Sequence, residues 1–220
     1  MVNTISTKNI DWKSVKVWAN ITVIGIVIYI VIDVILAFLR TDYSLLRNAE
    51  SDYGRGPYFW LMDINFLLRC LFSLTLSKTL VMAFPKNRSI KNSSYWLIGW
   101  AIGSGLLAFF SDNPHGYQRL RSGSTHVLVA FIAFIAIVVA MVLISHLIYK
   151  MKPESKTTIL LISLCVVAIL SLLLLGHTHR VLYRHSLGGL YERIFLASVL
   201  IWEATLALMV SNKISKTSAK

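Results

Sequence analysis

Polar and ionisable side chains interrupt an otherwise apolar stretch between residues 58 and 84. Asp63 lies near the start of this stretch, and Asn65, Arg69 and Ser73 follow at intervals of four residues. Residues four apart share one face of an α-helix. An ionised group in hydrocarbon is costly, so such residues normally face a partner or a water-filled cavity. The pattern predicts that this helix lines a polar site.

Two further carboxylates fall inside apolar stretches, Asp33 in the first and Glu203 in the last. At the helical rise per residue, Arg69 and Glu203 lie at nearly the same depth, roughly 15 Å from the outer helix ends. An ion pair between them is expected, because each charge alone would be costly. Asp33 and Asp63 lie shallower and are predicted to ring the mouth of a cavity. A purely structural ion pair that binds no ligand is the alternative.

Six apolar stretches are long enough, or nearly so, to carry these residues across a membrane. The chain of 220 residues is 56% hydrophobic and 15% charged, which indicates an integral membrane protein. All six stretches should be helices, because only a helix satisfies its own backbone in lipid. They form one all-α domain, 1–220, a bundle of six transmembrane helices. The predicted spans are Val15–Leu39, Tyr58–Phe84, Tyr95–Phe110, His126–Tyr149, Thr157–Leu175 and Ile194–Val210.

Charges in the connections predict the topology. Lysines cluster before the first helix, in the second and fourth connections and in the tail, whereas the first, third and fifth connections carry arginines and histidines. Basic residues favour the cytoplasmic side, so both termini are predicted to be cytoplasmic and the protein to lie in the plasma membrane. This distribution of the formal charge of +12 also argues against nucleic acid as a partner.

The opposite, outer side carries the residues suited to ligand binding. Arginine presents a planar fork that binds carboxylate or phosphate through two hydrogen bonds, which lysine cannot do. Together with the polar residues within the helices, these arginines form the predicted ligand-binding set. Its members are Asp33, Arg55, Asp63, Asn65, Arg69, Arg119, Arg121, Arg180, Arg193 and Glu203.

The same region could support catalysis instead of binding alone. Asp63 or Glu203, buried in an apolar environment, would act as a general base, and His126 or His179 would act as a proton donor. The substrate would be a lipid. The sequence leaves open whether the protein is an enzyme.

A metal site is a weaker hypothesis. His177, His179 and His185 lie close together in the fifth connection, and imidazole is a common zinc ligand. Their spacing matches no strong metal-binding signature, so phosphate binding or helix capping is favoured. No metal and no cofactor is predicted.

Small residues and cysteines are interpreted as packing features. Gly99 and Gly103 form a GxxxG pattern, and Ala136 and Ala140 repeat the spacing on the next helix. Such faces let helices approach closely, within the chain or in a homo-oligomer. The two cysteines both lie in apolar stretches, which favours packed thiols over a disulfide.

Three segments resemble a six-helix membrane family, Domain of Unknown Function 998. They are SDYGRGPYFWLM from Ser51 to Met62, DNPHG from Asp112 to Gly116 with His126 downstream, and GLYER from Gly189 to Arg193 with Trp202 downstream. The resemblance extends from about Ser51 onward and leaves Asp33 outside it. It implies a six-helix architecture with polar motifs on the outer side, and it carries no assigned activity.

Three functions therefore remain in view. The first is a protein whose outward-facing polar pocket binds or transports a small anionic or zwitterionic ligand or a lipid head group. The second is a membrane-embedded hydrolase or transferase acting on a lipid. The third is a structural subunit of a membrane complex. The first is favoured, with membrane lipids and a small molecule or lipid as partners, because arginines and buried polar residues coincide on one side.

Overall fold

The computed structural model describes residues 10–110, 121–151, 155–181 and 187–218, with backbone only for 121–122, 179–181 and 213–218. These residues form six α-helices and one short 3₁₀ helix, and they include no strand. The prediction of an all-α chain with six helices is confirmed. The α-helices are α1 (Trp12–Leu39), α2 (Phe59–Ala83), α3 (Arg88–Leu107), α4 (Arg121–Met151), α5 (Lys156–Val181) and α6 (Gly188–Ser218), and the 3₁₀ helix is Glu50–Gly54.

Five of the helices are long and apolar enough to cross a membrane; α3 is the exception among the described residues. The first two turns of α3, Arg88–Tyr95, contain Arg88, Lys91, three serines and an asparagine, which lower its hydropathy. The prediction of six spans is thus confirmed for five of them by length and composition. The chain is a multi-pass membrane protein.

The helices pack in sequence order around a closed ring. Each helix contacts the next, α6 returns to contact α1, and α2 and α6 also touch across the interior. Large side chains such as Trp100, Phe195 and Trp202 are fully buried in the core that this ring encloses. The α2 helix, which carries the polar stripe, is therefore flanked by α1, α3 and α6.

Two helices start where a polar side chain caps them. Asp11 accepts hydrogen bonds from the Ser14 amide and hydroxyl before α1, and Asn87 accepts one from the Ile90 amide before α3. Such caps satisfy backbone N–H groups that have no partner within the helix. The α3 helix consequently begins at Arg88 and not at the apolar residue Tyr95.

Small residues bring α3 and α4 together. A Cβ at Gly99 would lie 3.6 Å from Ala136, and one at Gly103 would lie 2.7 Å from the Ala133 side chain. The GxxxG face of α3 is therefore used inside the chain. The prediction of a homo-oligomer is not tested by this packing.

The connection between α1 and α2 is organised by the buried guanidinium of Arg40. It donates to both Asp42 carboxylate oxygens at 2.9 and 3.0 Å and to the carbonyls of Arg55 and Pro57. Gly56 has φ +68°, a conformation that favours glycine, and it packs against this guanidinium. Arg40 thus fixes the turn that leads from the 3₁₀ helix into α2.

The start of α6 is bound to the same connection. Arg193 donates through Nη1 to the carbonyls of Leu45 and Asn48 at 2.9 and 2.6 Å, and the Leu190 amide donates to the Leu46 carbonyl at 3.0 Å. These bonds hold the 3₁₀ helix over the bundle. We refer to this end of the molecule as the 3₁₀ end.

Candidate functional site

A small cavity lies beneath the 3₁₀ helix, among α2, α3, α4 and α6. Its volume is about 20 Å³, which is room for about one water molecule. The apolar lining residues are Met62, Phe66, Leu107, Ala130, Phe134 and Leu196. The polar lining residues are Glu50, Ser51, Arg69, His126 and Glu192. A cation, two carboxyl groups, an imidazole and a hydroxyl therefore converge on one enclosed space.

Arg69 forms the innermost polar wall. It is 2% exposed, its Nε donates to the Ser104 hydroxyl at 3.0 Å, and its Nη1 donates to the Tyr29 hydroxyl at 3.3 Å. Its guanidinium carbon lies 4.8 Å from the centre of the Trp100 ring, near enough for a cation–π interaction. The cation is thus surrounded by hydroxyls and aromatic rings, and within the described part of the chain no carboxylate lies at ion-pair distance from it.

The 3₁₀ helix, Glu50–Gly54, covers the cavity, and we call it the roof. Glu50, 4% exposed, accepts a hydrogen bond from the Tyr29 hydroxyl, so one tyrosine links the roof carboxyl to Arg69. Tyr53 is also buried, and desolvation raises the pKa of its phenol although the nearby Arg193 acts in the opposite direction. The roof is therefore built from polar groups that face inward.

His126 and Glu192 complete the walls from α4 and α6. The Nδ1 atom of His126 lies 2.7 Å from the Phe110 carbonyl. A carbonyl only accepts, so Nδ1 carries the proton when the ring is neutral, and Nε2 keeps its lone pair. Glu192 is 7% exposed and brings a second carboxyl group to the cavity.

The predicted ion pair between Arg69 and Glu203 is wrong. Glu203 is fully buried and accepts hydrogen bonds from Ser73 at 2.9 and 3.1 Å and from the Trp100 indole at 3.1 Å. Trp100 presents its ring face to Arg69 and its N–H to Glu203. The two charges are thus bound to the same indole and not to each other, and Glu203 lies outside the cavity wall.

The other described members of the predicted ligand-binding set surround the cavity without lining it. Asn65 is fully buried and donates to the Tyr29 carbonyl at 3.3 Å, and Asp33 is partly exposed within electrostatic range of Arg193 and Arg69. Asp63 is also partly exposed. Arg55 is ion-paired with Asp52, and Arg193 binds backbone carbonyls. The sequence predicted one cavity around the whole set, but these residues make separate contacts outside the cavity wall.

Several predicted residues lie outside the described part of the chain. Arg119 and His185 fall in undescribed segments, and the side chains of Arg121, His179 and Arg180 are not described. His177 is exposed on α5. Among the described residues no group of three or more metal-ligating side chains occurs. The binding, catalytic and metal roles of these residues stay predictions.

Sequence reasoning did not single out Trp100 and Ser104, the two α3 residues that contact the buried charges. A signal existed for Trp100, because an indole N–H in an apolar helix usually finds an acceptor. The sequence did not point to Glu50 either, since nothing in the sequence of a connection shows that its end folds over the bundle.

The comparisons with known proteins agree with the architecture. A model of the family described as "Protein of unknown function (DUF998)" matches residues 23–209. The match includes most of α1, and therefore Asp33, which the motifs alone had left outside. No curated protein and no solved structure matches the chain. The chain belongs to the DUF998 family.

Proposed function

We propose that the protein binds a small ligand with an anionic group at the 3₁₀ end, with Arg69 as the anion contact. The observation that carries the proposal is the guanidinium of Arg69, which is 2% exposed, lines a cavity and has no carboxylate of the described residues at ion-pair distance. A guanidinium offers five N–H donors, more than the two hydrogen bonds to Tyr29 and Ser104 use. A carboxylate or phosphate ester matches the remaining donors.

Other lining residues of the cavity suit a positively charged or hydrogen-bond-donating group. Glu50 and Glu192 bring two carboxyl groups to the cavity wall, and Ser51 adds a hydroxyl. A ligand with an anionic and a cationic end would be bound with complementary charge at both ends. This favours a zwitterion, either a free small molecule or a lipid head group.

Unpartnered polar atoms support binding in this region. Among the described residues, all buried side-chain nitrogen and oxygen atoms without a hydrogen-bond partner belong to five residues, namely Asp33, Tyr53, Arg55, Asn65 and Arg193. All five lie in the half of the bundle at the 3₁₀ end. A buried polar group without a partner costs about 1–3 kcal/mol. None of these five residues lines the closed cavity, so a polar ligand would offset that cost only after the 3₁₀ helix has moved.

The cavity measures about 20 Å³, whereas ligand sites usually measure about 300 Å³ or more. We therefore interpret this conformation as a closed state. Binding therefore requires the 3₁₀ helix to move away from Arg69. The hydrogen bond from Tyr29 to Glu50 joins the two sides of the cavity and is the contact that such a movement would break.

The test is a ligand screen by thermal stabilisation of the purified protein in detergent. The panel contains amino acids, glycerophosphoethanolamine, phosphoserine, inorganic phosphate and betaine. We expect zwitterions with a carboxylate or phosphate to raise the melting temperature of the wild type and of Glu203→Gln, but not of Arg69→Gln. Glu203→Gln is the matched control, because it removes a buried charge outside the cavity.

Three results would contradict the proposal. They are equal stabilisation of Arg69→Gln and the wild type, loss of stabilisation in both variants, and a wild type that no panel member stabilises. Variants that elute as aggregates would be replaced by Arg69→Lys and Glu203→Asp, which keep the charges and change only the geometry.

A second candidate, a membrane enzyme acting on a lipid, is favoured by one observation. The Phe110 carbonyl fixes the His126 ring, which leaves Nε2 with a free lone pair, and the ring lines the cavity together with Ser51 and two carboxyl groups. This candidate predicts conversion of a zwitterionic lipid by the wild type in vesicles, detected by mass spectrometry, and its loss in His126→Gln. Ligand stabilisation without turnover would favour binding alone.

A further inference from the structure

A second recess lies between α4 and α5, near the end of the bundle opposite the 3₁₀ end. Its volume is about 380 Å³, and it runs along about two turns of each helix, roughly 10 Å. Val142 and Ile162 line it, with Val166 and Ile169 further along α5. The groove, as we call it, is far larger than the cavity beside Arg69 and shares no residue with it.

The groove opens to the membrane-facing surface and not to the core. Val142, Ile162 and Val166 are 43%, 38% and 50% exposed. Its floor is closed, because Trp202 donates to the Ser145 hydroxyl at 2.9 Å and that hydroxyl contacts the Cys165 sulfur at 3.3 Å. An occupant would therefore lie along the groove and meet apolar walls. A hydrocarbon chain fits this surface.

One end of the groove is polar and basic. His146 and Tyr149 line that end, and Lys150 and Lys156 are exposed where α4 ends and α5 begins. Aromatic and basic side chains at the end of a span lie at the level of the lipid head groups. Lysines close to a membrane surface attract anionic lipids, by about 1 kcal/mol per residue. Charge complementarity therefore favours an anionic lipid as the occupant of the groove.

We propose that this groove binds one anionic phospholipid, with an acyl chain between α4 and α5 and its phosphate beside Lys150 and Lys156. The site is separate from the cavity beside Arg69, so it does not depend on the function proposed for that cavity. A lipid bound in the groove is a partner of the helix bundle, distinct from the surrounding bilayer lipids.

The test counts retained lipids by native mass spectrometry. The protein is purified from nanodiscs that contain equal amounts of phosphatidylglycerol and phosphatidylcholine. Val166→Trp fills the groove, and Leu170→Trp, on the same helix and 55% exposed but outside the groove, is the matched control. We expect one retained phosphatidylglycerol per chain in the wild type and the control, and at least a fivefold loss in Val166→Trp.

A double variant, Lys150→Gln with Lys156→Gln, tests the head group. We expect it to retain a lipid but to lose the preference for phosphatidylglycerol over phosphatidylcholine. Equal retention by the two tryptophan variants would overturn the proposal, as would equal retention of both lipids by the wild type. A dimer cross-linked through Val166→Cys would also overturn it, because a second copy would then fill the groove.

Discussion

Arg69 and Glu203 are both buried charges on neighbouring helices, yet their surroundings differ. Arg69 lines a cavity and binds two hydroxyls, whereas Glu203 is enclosed and binds Ser73 and Trp100. The difference shows that similar depth does not make two opposite charges a pair. An aromatic ring can lie between them and contact both. It also separates a residue that lines the cavity from one that does not.

The largest effect is expected from removing that ring. Trp100 is fully buried, and truncating a buried tryptophan to alanine costs about 3–5 kcal/mol. Trp100→Ala also removes the indole donor from Glu203 and one of the aromatic rings that face Arg69. We expect a loss of that size in the free energy of unfolding, measured by denaturant titration in mixed micelles.

Trp100→Phe is the control for this variant, because it keeps a ring and removes only the N–H. It should cost less, about 1–3 kcal/mol, since Glu203 would lose one hydrogen bond. A loss below about 1 kcal/mol for Trp100→Ala would mean that the two charges pair directly once the ring is gone.

The next largest effect should follow from a substitution that displaces the 3₁₀ helix above the cavity beside Arg69. A Cβ at Gly189 would lie 2.2 Å from the Asn48 carbonyl oxygen, so Gly189→Ala must displace the connection that carries the 3₁₀ helix. We expect a cost of about 1–3 kcal/mol and faster hydrogen exchange of Glu50–Gly54 measured by mass spectrometry. Gly176→Ala, where the added Cβ meets nothing within 4 Å, is the control and should cost nothing.

The comparison is sharpened by removing one hydroxyl from each charge. Ser73→Ala and Ser104→Ala each delete a hydroxyl bonded to a buried charge, and each should lower the unfolding free energy by about 1–3 kcal/mol. Only Ser104→Ala should weaken the binding of a ligand found in the screen, because Ser104 orients Arg69. Similar loss of affinity in both variants would contradict the distinction between the two charges.

The smallest effect concerns a charge pair outside the membrane. Arg40 donates to Asp42 and holds the pKa of that carboxyl below its ordinary value of 3.8. A lowered folded-state pKa stabilises the protein above the unfolded value and ceases to do so as the pH falls through the folded value. Asp42 is 62% exposed in its side chain, so the contribution should not exceed about 1 kcal/mol.

Asp42→Asn isolates this contribution. Wild type and variant should differ in unfolding free energy at about pH 6, and the difference should disappear only once the pH has fallen below the lowered folded-state pKa. A difference that persists at low pH would show that the loop depends on the shape of Asp42 and not on its charge.

The helices could be predicted from sequence because long apolar runs need internally satisfied backbones. The predicted ends of the helices were less accurate, because the length of an apolar run reflects the part of a helix that faces lipid and not the whole helix. Thus α3 starts at Arg88, seven residues before Tyr95, and α6 starts at Gly188, six residues before Ile194.

The site was predictable only in part. Arg69 stood out because a cation in an apolar helix needs a reason. The partners of Arg69 could not be derived from the sequence. The spacing of residues gives the depth of Arg69 along its helix, but it does not show which of the three neighbouring helices the side chain contacts. Glu50 and Glu192 reach the cavity through the fold of a connection and the start of α6, which only tertiary contacts determine.

The contacts of the two buried charges also fix an order of assembly during synthesis. Arg69 binds Tyr29 on the preceding helix and Ser104 on the following one, so its partners are available once three helices have emerged. Glu203 belongs to the last helix and finds Ser73 and Trp100 already in place. Chains emerge from the ribosome N-terminal end first. The cavity beside Arg69 is therefore completed only when the final helix, with Glu192, enters the membrane.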